Sequence, residues 1–438
     1  MRRPARLTRR AFVAGSLVAS VARAKGRTPV GGKITMHVPW PIGTIDPHRI
    51  DDPIAAIFGE AIFDGLFAGD GAPALADGEP ELEGTSTVKV RMRLNLKTAR
   101  EKPIGTKDAV WSIARARSMS ARGLLSDIPV PREDGRTLYF AMKDPARLKA
   151  ALSSPLVAIV PTGFDPFTGD GTGAFKYTVA GNTMTLVRNR FAARGPAFLD
   201  EVIVGAAPDM SASLLAFETG TDDIGWLESG MYAPRAGSKS FDYAAVGWAV
   251  LFTGRDAVSW DAPGIAQRIA DGIPHSMLAK LHPGNPWPPD APQAWGGPPV
   301  QLLVRDDAPW LIAMANAVAG QITNAGHEVT VKPTSTAEIA SKRASRLFGL
   351  MLDVVRNPGG GALGSSVVLA TANDPSKAGD LMNHPPKLGE VPARTLTRTL
   401  RLGVVGEIKV SGGRMPELVL PQSASGFGFD LGASYKKR

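Results

Sequence analysis

The sequence predicts an α/β chain of two lobes with a β-rich insert, and three observations carry that prediction. Gln301–Val304, Trp310–Ala325 and Glu328–Lys332 read as strand, helix and strand, the unit from which parallel sheets are built. Ala244–Phe252 (AAVGWAVLF) is apolar throughout, as suits a strand covered on both faces that passes between lobes. Val88–Leu96 (VKVRMRLNL) alternates strictly, so one face is buried and the other carries Lys89, Arg91, Arg93 and Asn95. The 438 residues, 44% hydrophobic and 21% charged, suffice for about two or three domains. The 48 glycines and 36 prolines favour turns over a helical bundle.

The chain begins MRRPARLTRRAFVAGSLVASVARA. Six arginines without an acid, an apolar run from Ala11 to Ala22 and the Ala22-Arg23-Ala24 site form the three-part pattern of an export signal. Thr8-Arg9-Arg10-Ala11-Phe12 resembles the twin-arginine motif. The apolar run is too short and too rich in Ala, Gly and Ser to span a membrane. Cleavage after Ala24 removes six of the 50 basic residues and none of the 41 acidic ones, so the formal charge falls from +9 to +3. That balance excludes a nucleic-acid footprint. The absence of cysteine excludes disulfides, attachment of lipid through an N-terminal cysteine and a cysteine zinc site. The expectation is a soluble periplasmic protein.

The remaining elements follow in order. Lys33–Val38 alternates as a strand and ends at Pro39-Trp40-Pro41; TIDPHRIDDP is a turn-rich loop. Ile54–Leu66 has apolar residues at helical spacing, and Thr106-Lys107-Asp108 opens a second helix. Thr137–Met142 reads as a short strand and Asp144–Leu152 as a short helix. In TGDGTGAFKYTVAGNTMTLVRN, Gly169, Gly171 and Gly173 resemble a phosphate loop, but two alternating stretches joined by Gly-Asn follow them. That is a β-hairpin with no helix N-terminus to meet a phosphate. Leu199–Val204 is a strand, Ser211–Thr219 and Ala262–Leu281 are helical, and 282–299 is a proline-rich linker. Gly326 suits a helix C-cap, and Phe348–Val355 is a last strand ending in RNPGGG.

The residues show no pattern for catalysis. His37, His48, His275, His282, His327 and His384 lack metal-ligand spacing and read as scattered surface or turn histidines. No nucleophile elbow or P-loop lysine pattern occurs. Asp51-Asp52 reads as a solvated loop and Asp222-Asp223 as a helix-to-strand turn. Arg356-Asn357-Pro358 either binds an anion or shapes a turn. Trp111 and Trp310 fall in helices and read as core. Trp40, Trp226 and Trp248 fall at strand ends or turns, where a cleft wall competes with packing.

Several segments, in order, resemble the extracytoplasmic solute-binding proteins of family 5, the peptide, opine and nickel class of ABC importers. Ile45-Asp46-Pro47-His48 with GEAIFDGLF is similar to the family's "LDPH … VYEGL" opening, and IGTKDAVWSIARARS to its "plTAeDVvwSleR". TGDGTGAFKYTVAGNTMTLVRNRFAARGPAFLDEVIV is similar to its glycine turn, hairpin and "lDeVvf" strand, and LLAFETGTDDIGW to its "al-aGeiDia". The likeness runs over most of residues 33–360. Two departures stand out: the family's "kFHDG" is replaced by REKPIG, and its "GW-aDYpDP" by Gly349-Leu-Met-Leu-Asp353-Val-Val-Arg-Asn357-Pro358. In peptide-binding members the first Asp of that stretch pairs with the ligand's α-ammonium. Here its place falls on Val354, with Asp353 one residue away on the opposite strand face.

The resemblance implies a type II periplasmic-binding-protein-like fold, of the large class with an extra β-rich subdomain and a hinged cleft. Its expected limits are lobe I over 25–65, 155–248 and 415–438, the inserted subdomain over 66–154, and lobe II over 249–414. The hinge is expected near Gly247–Phe252, with a second crossover near Pro416–Pro421. The implied function is capture of an oligopeptide or similar extended solute, delivered by a monomer to an inner-membrane ABC permease without catalysis, cofactor, metal or nucleic acid. The ligand-binding candidates are Trp40, Thr44, Trp226, Trp248, Asp353, Arg356 and Asn357. A periplasmic adaptor or sensor that binds a protein partner is the alternative.

Overall fold

The structure, a computed structural model, describes residues 28–38, 41–49, 52–208, 210–226, 237–278, 291–357, 361–373, 393–425 and 428–437. The expected signal segment, Trp40, Asp51, His282, His384 and the first half of the proline-rich linker lie outside them. Strand β1 (Lys33–Val38) leads to helix α1 (Pro53–Ile62). The insert holds β2 (Glu81–Glu83), β3 (Thr87–Arg91), α2 (Thr106–Ser118), β4 (Arg132–Asp134), β5 (Thr137–Phe140) and α3 (Pro145–Leu152). Next come β6 (Phe175–Ala180), β7 (Thr183–Arg188), β8 (Glu201–Ala206), α4 (Met210–Glu218), β9 (Ile224–Trp226) and the long β10 (Lys239–Thr253). The chain continues through α5 (Ile265–Asp271), α6 (His275–Leu278), β11 (Val300–Arg305), α7 (Pro309–Ile322), β12 (Val329–Thr334), α8 (Thr336–Ser345) and β13 (Leu350–Arg356). It closes with α9 (Gly361–Asn373), α10 (Ala393–Thr397), β14 (Leu402–Arg414), β15 (Leu418–Val419) and β16 (Tyr435–Lys436).

Ten strands form one sheet in the order β12-β11-β13-β10-β14-β9-β1-β8-β7-β6. Its two flanks are built alike: β1 runs parallel to β8 and β9, and β11 runs parallel to β12 and β13. The middle is made by β10 and β14, which pair with each other antiparallel along both flanks. Gly247–Thr253 of β10 pairs with β13 on one side, whereas Gly412–Arg414 of β14 pairs with β9 on the other. The register of β10 against β14 slips between Asp242 and Gly247 and again between Ala249 and Val250, where bulges interrupt the ladder. Two lobes therefore share two crossing strands. The second of these is Leu402–Arg414, which precedes the expected Pro416–Pro421.

Burial follows the sequence pattern where the pattern is strong. Ile34, Met36 and Val38 of β1 are fully buried, with Lys33 exposed between sheet and solvent. All seven residues of β13 are buried, because helices cover both faces of this lobe's sheet. Leu350, Leu352 and Val354 pack in one cluster with Trp310, Leu311 and Met314 of α7; Met351 and Val355 pack in the other with Val368 and Leu369 of α9. The insert is a separate four-stranded sheet, β2-β3-β5-β4, backed by α2 and α3.

Several boundaries differ from expectation for local reasons. β3 stops at Arg91, and Asn95 adopts φ 57°, so the alternating stretch is not one strand. The helix expected over Ala262–Leu281 is divided into α5 and α6, with Pro274, which lacks an N–H, just before α6. α7 ends at Thr323, so Gly326 (φ 80°) shapes the turn into β12 rather than capping the helix. Asp52 is no solvated loop acid: its side chain accepts from the Ala55 N–H at 3.0 Å and caps α1, with Pro53 at the first position.

The glycine turn before β6 exists to bring the hairpin against the end of α1. The Gly173 N–H donates to the Ile62 carbonyl at 2.9 Å. A Cβ at Gly173 would lie 2.7 Å from the Ala61 carbonyl oxygen, and one at Gly171 would lie 2.1 Å from that of Ile62. Gly173→Ala is therefore expected to destabilise the fold by about 1–3 kcal/mol through overpacking against backbone. Urea titration would show this as a lower midpoint with unchanged slope; an unchanged midpoint would contradict the packing account.

Candidate functional site

The topology locates the site before any side chain is considered. β9 and β10 both run antiparallel to β14, and β13 runs antiparallel to β10. The carboxyl ends of β1 and β9 in one lobe and of β13 in the other thus converge on the bulged middle of the crossing strands. Open α/β sheets bind ligands outside the carboxyl ends of their strands, where the chain direction of the connections changes. The loop after β1 (residues 41–49), the capped start of α1, Trp226 at the end of β9 and Arg356-Asn357 at the end of β13 occupy this junction.

The 41–49 loop is rigid because of a buried polar cluster. Arg115 of α2 grips Asp46 with two hydrogen bonds, Nη1 to Oδ1 at 2.9 Å and Nη2 to Oδ2 at 2.6 Å. The same Nη1 donates to His48 Nδ1 at 2.7 Å, and His48 Nε2–H donates to the Ala158 carbonyl at 2.8 Å. These donors fix the neutral imidazole with its proton on Nε2. Burial pushes His48 down to about 4, against the raising effect of its bond to Ala158, and the Arg115 charge lowers it further. Burial alone would raise the Asp46 carboxyl, but hydrogen bonds from Arg115 and the His48 N–H, with the arginine's charge, hold it below its ordinary value. His48 is thus no scattered turn histidine; it is fully buried.

Of the sequence candidates among the described residues, Thr44, Trp226, Arg356 and Asn357 lie on the segments that meet at the junction, and Trp248 and Asp353 are packed inside strands. Thr44 is exposed on the loop, Asn357 is buried beside Arg356, and Trp226 ends β9 at the junction. Trp40 lies outside the described residues. Trp248 does not end a strand: it sits inside β10, 3% exposed, with Val250 and Phe252 in an apolar cluster. Asp353 is 1% exposed, and its Oδ2 accepts from Arg343 Nη1 of α8 at 3.1 Å, so this carboxylate is committed within its own lobe. The Arg343 guanidinium also stacks over Phe252, 4.4 Å from the ring centre. Arg356 is 2% exposed, and its Nη1 donates to the carbonyls of Pro47 at 3.0 Å and Arg49 at 3.4 Å. Sequence reasoning passed over Asp46, His48 and Arg115 as a unit. The available signal was the pairing of an Asp-Pro-His turn with an arginine on an otherwise half-buried helix face.

The adjacent acids Asp222 and Asp223 are held by separate partners. Asp222 Oδ2 accepts from His37 Nδ1 at 2.8 Å, while Asp223 pairs with Lys436 at 2.8 Å and accepts from the Thr35 N–H, so the two carboxylates point apart. Burial raises the Asp222 carboxyl against the lowering bond from His37. Ser213 Oγ donates to the His37 carbonyl at 2.7 Å, not to its imidazole. Among the described residues, no group of three or more His, Cys, Asp or Glu side chains is placed to hold a metal ion. No helix among them is long and apolar enough to cross a membrane.

No family model matches the sequence, and no curated protein matches it. Solved structures do. The oligopeptide-binding protein AppA from Bacillus subtilis, solved with a nonapeptide, is similar with a TM-score of 0.71 at 13% identity over 94% of this chain and 100% of that one. The binding protein AgaA from A. tumefaciens R10, solved with agropinic acid, gives 0.69 at 16% over 93% and 99%. NikA from Staphylococcus aureus, solved with Ni(L-His)2, gives 0.67 at 14% over 92% and 100%. The chain thus shares the two-lobed fold of these binding proteins.

Because His48 is held neutral, stability acquires a pH dependence of definite sign. The unfolded chain protonates this ring near 6.5 and the folded chain only near 4. The folded state is therefore unpenalised above about 6.5 and loses stability as pH falls toward 4, by about 3 kcal/mol at most. His48→Gln is expected to remove this slope, so the difference between wild-type and variant unfolding energies should shrink from neutral pH to about 4. The opposite-signed contribution of Asp222 cancels in that difference. A pH-independent difference would contradict the assignment.

Proposed function

We propose that this chain is the periplasmic solute-binding component of an ABC importer. It captures an oligopeptide or similar extended solute between its lobes and delivers it to a membrane permease. The observation that carries this reading is the convergence of parallel-strand carboxyl ends from both lobes on two bulged crossing strands, a cleft with a hinge at its base. The ligands of the similar structures, a nonapeptide, agropinic acid and a nickel–histidine complex, support a solute larger than a single ion. Thr44, Trp226 and Asn357, with Trp40, are the side chains proposed to face it. The commitment of Asp353 to Arg343 argues against its pairing with a ligand ammonium.

The rest of the reading is of a piece with this one. The lobe limits are taken as expected from the sequence except at the two crossings, which fall inside β10 and β14; the chain works as a monomer without catalysis, and it is exported folded with cleavage after Ala24. Ligand binding favours the closed form, and that form engages the permease.

Native mass spectrometry of residues 25–438 purified from periplasm tests the proposal. A retained solute released by gentle denaturation is the expected result and would name the ligand class. An apo mass, together with no thermal stabilisation by peptide, opine and nickel–histidine panels, would contradict it and turn attention to the adaptor reading.

A further inference from the structure

We infer that Arg356 is a latch between the lobes, a guanidinium from one lobe that holds the other by its backbone. The inference rests on the two-lobed hinge described above and needs no ligand. Arg356 ends β13, which pairs with β10 and β11 in the second lobe. Both its acceptors, the carbonyls of Pro47 and Arg49, belong to the loop after β1 in the first lobe. The side chain crosses the junction, and its hydrogen bonds join segments more than 300 residues apart in sequence.

Three further observations make it a latch rather than an incidental contact. First, the acceptor loop is pinned by Arg115, Asp46 and His48, so the two carbonyls are held in place before the lobes meet. Second, the attraction across the junction comes from the first lobe alone. Burial pulls the Arg356 guanidinium down to about 10, while the charges of Asp52, Glu60 and Asp46 oppose that fall. Third, the guanidinium is seated against the first lobe: its Nη2 lies 3.5 Å from where a Cβ on Gly59 of α1 would stand, an ordinary contact distance.

The latch is also releasable. Arg356 forms no ion pair with a carboxylate among the described residues, and its Nε is buried without a hydrogen-bond partner. When the lobes part, water reaches the whole guanidinium and offsets the two lost carbonyl bonds. A buried, under-satisfied cation thus makes the closed arrangement only modestly favoured, as a switching element requires. Planar geometry with several donors suits arginine to two carbonyls at once, and lysine does not reproduce it.

The chain has no cysteine, so two introduced ones label it uniquely. Thr178 on β6 and Thr330 on β12 are exposed on the outermost strands of the ten-stranded sheet. Spin labels at T178C and T330C in residues 25–438 report lobe separation by pulsed dipolar spectroscopy. Arg356→Gln is expected to raise the open-to-closed ratio roughly fivefold or more, the shift that follows loss of a net hydrogen bond. Arg356→Lys should shift it in the same direction by less. A cooperatively folded Arg356→Gln with the wild-type distance distribution would overturn the latch. If that variant does not fold, an unchanged distribution in folded Arg356→Lys overturns it equally. Both readouts are taken without ligand, so they stand apart from the test of solute capture.

Discussion

The structure depends on one constraint: two strands must belong to two sheets at once. β10 and β14 carry the ladder of the second lobe through Gly247–Phe252 and Leu402–Ile408, and that of the first through Lys239–Asp242 and Ser411–Arg414. The ladder between them is not continuous: bulges interrupt it between Asp242 and Gly247 and again between Ala249 and Val250. The strands that flank the bulges then deliver their carboxyl ends to the same place. Hinge and cleft are consequences of one topological arrangement.

Burial of charge is organised around that junction. Asp46 with Arg115, and Asp353 with Arg343, are ion pairs of low exposure, each closed by further hydrogen bonds or a ring face. Such pairs add little net stability compared with apolar packing, since desolvation offsets much of their attraction. What they supply is position. The first fixes the loop that Arg356 reaches, and the second holds α8 against β13 inside the second lobe. Arg356 differs from both in having carbonyl partners and only distant carboxylates, and it is the one that spans the lobes.

Local structure was legible where local pattern determines it. β1, the hairpin of β6 and β7 and the β11–α7–β12 unit emerge from alternation, turn residues and helical spacing, because each buries one face against its neighbours in sequence. β14 was not legible, and the reason is specific. LGVVGEIKVSGGR carries four glycines, which disfavour strands. Two of them are needed for close approach: a Cβ at Gly403 would lie 2.4 Å from the Ala266 carbonyl oxygen, and one at Gly412 would lie 2.0 Å from that of Gly225. The site was less legible still. Asp353, Trp248 and Arg356 have side chains suited to a ligand, yet their partners Arg343, the β10 cluster and the Pro47 carbonyl come from distant segments that no sequence window contains. The Asp46–His48–Arg115 cluster is hidden for the same reason, its arginine being 67 residues from its histidine.

Native-state hydrogen exchange resolved along β10 and β14 tests most directly whether the bulged crossing is the hinge. The account predicts that amides at 243–246 exchange at least about tenfold faster than those at 248–252, because local opening there needs no loss of either lobe's core. Uniform slow exchange through the whole of β10 would mean that the two lobes are one rigid body, and would contradict it.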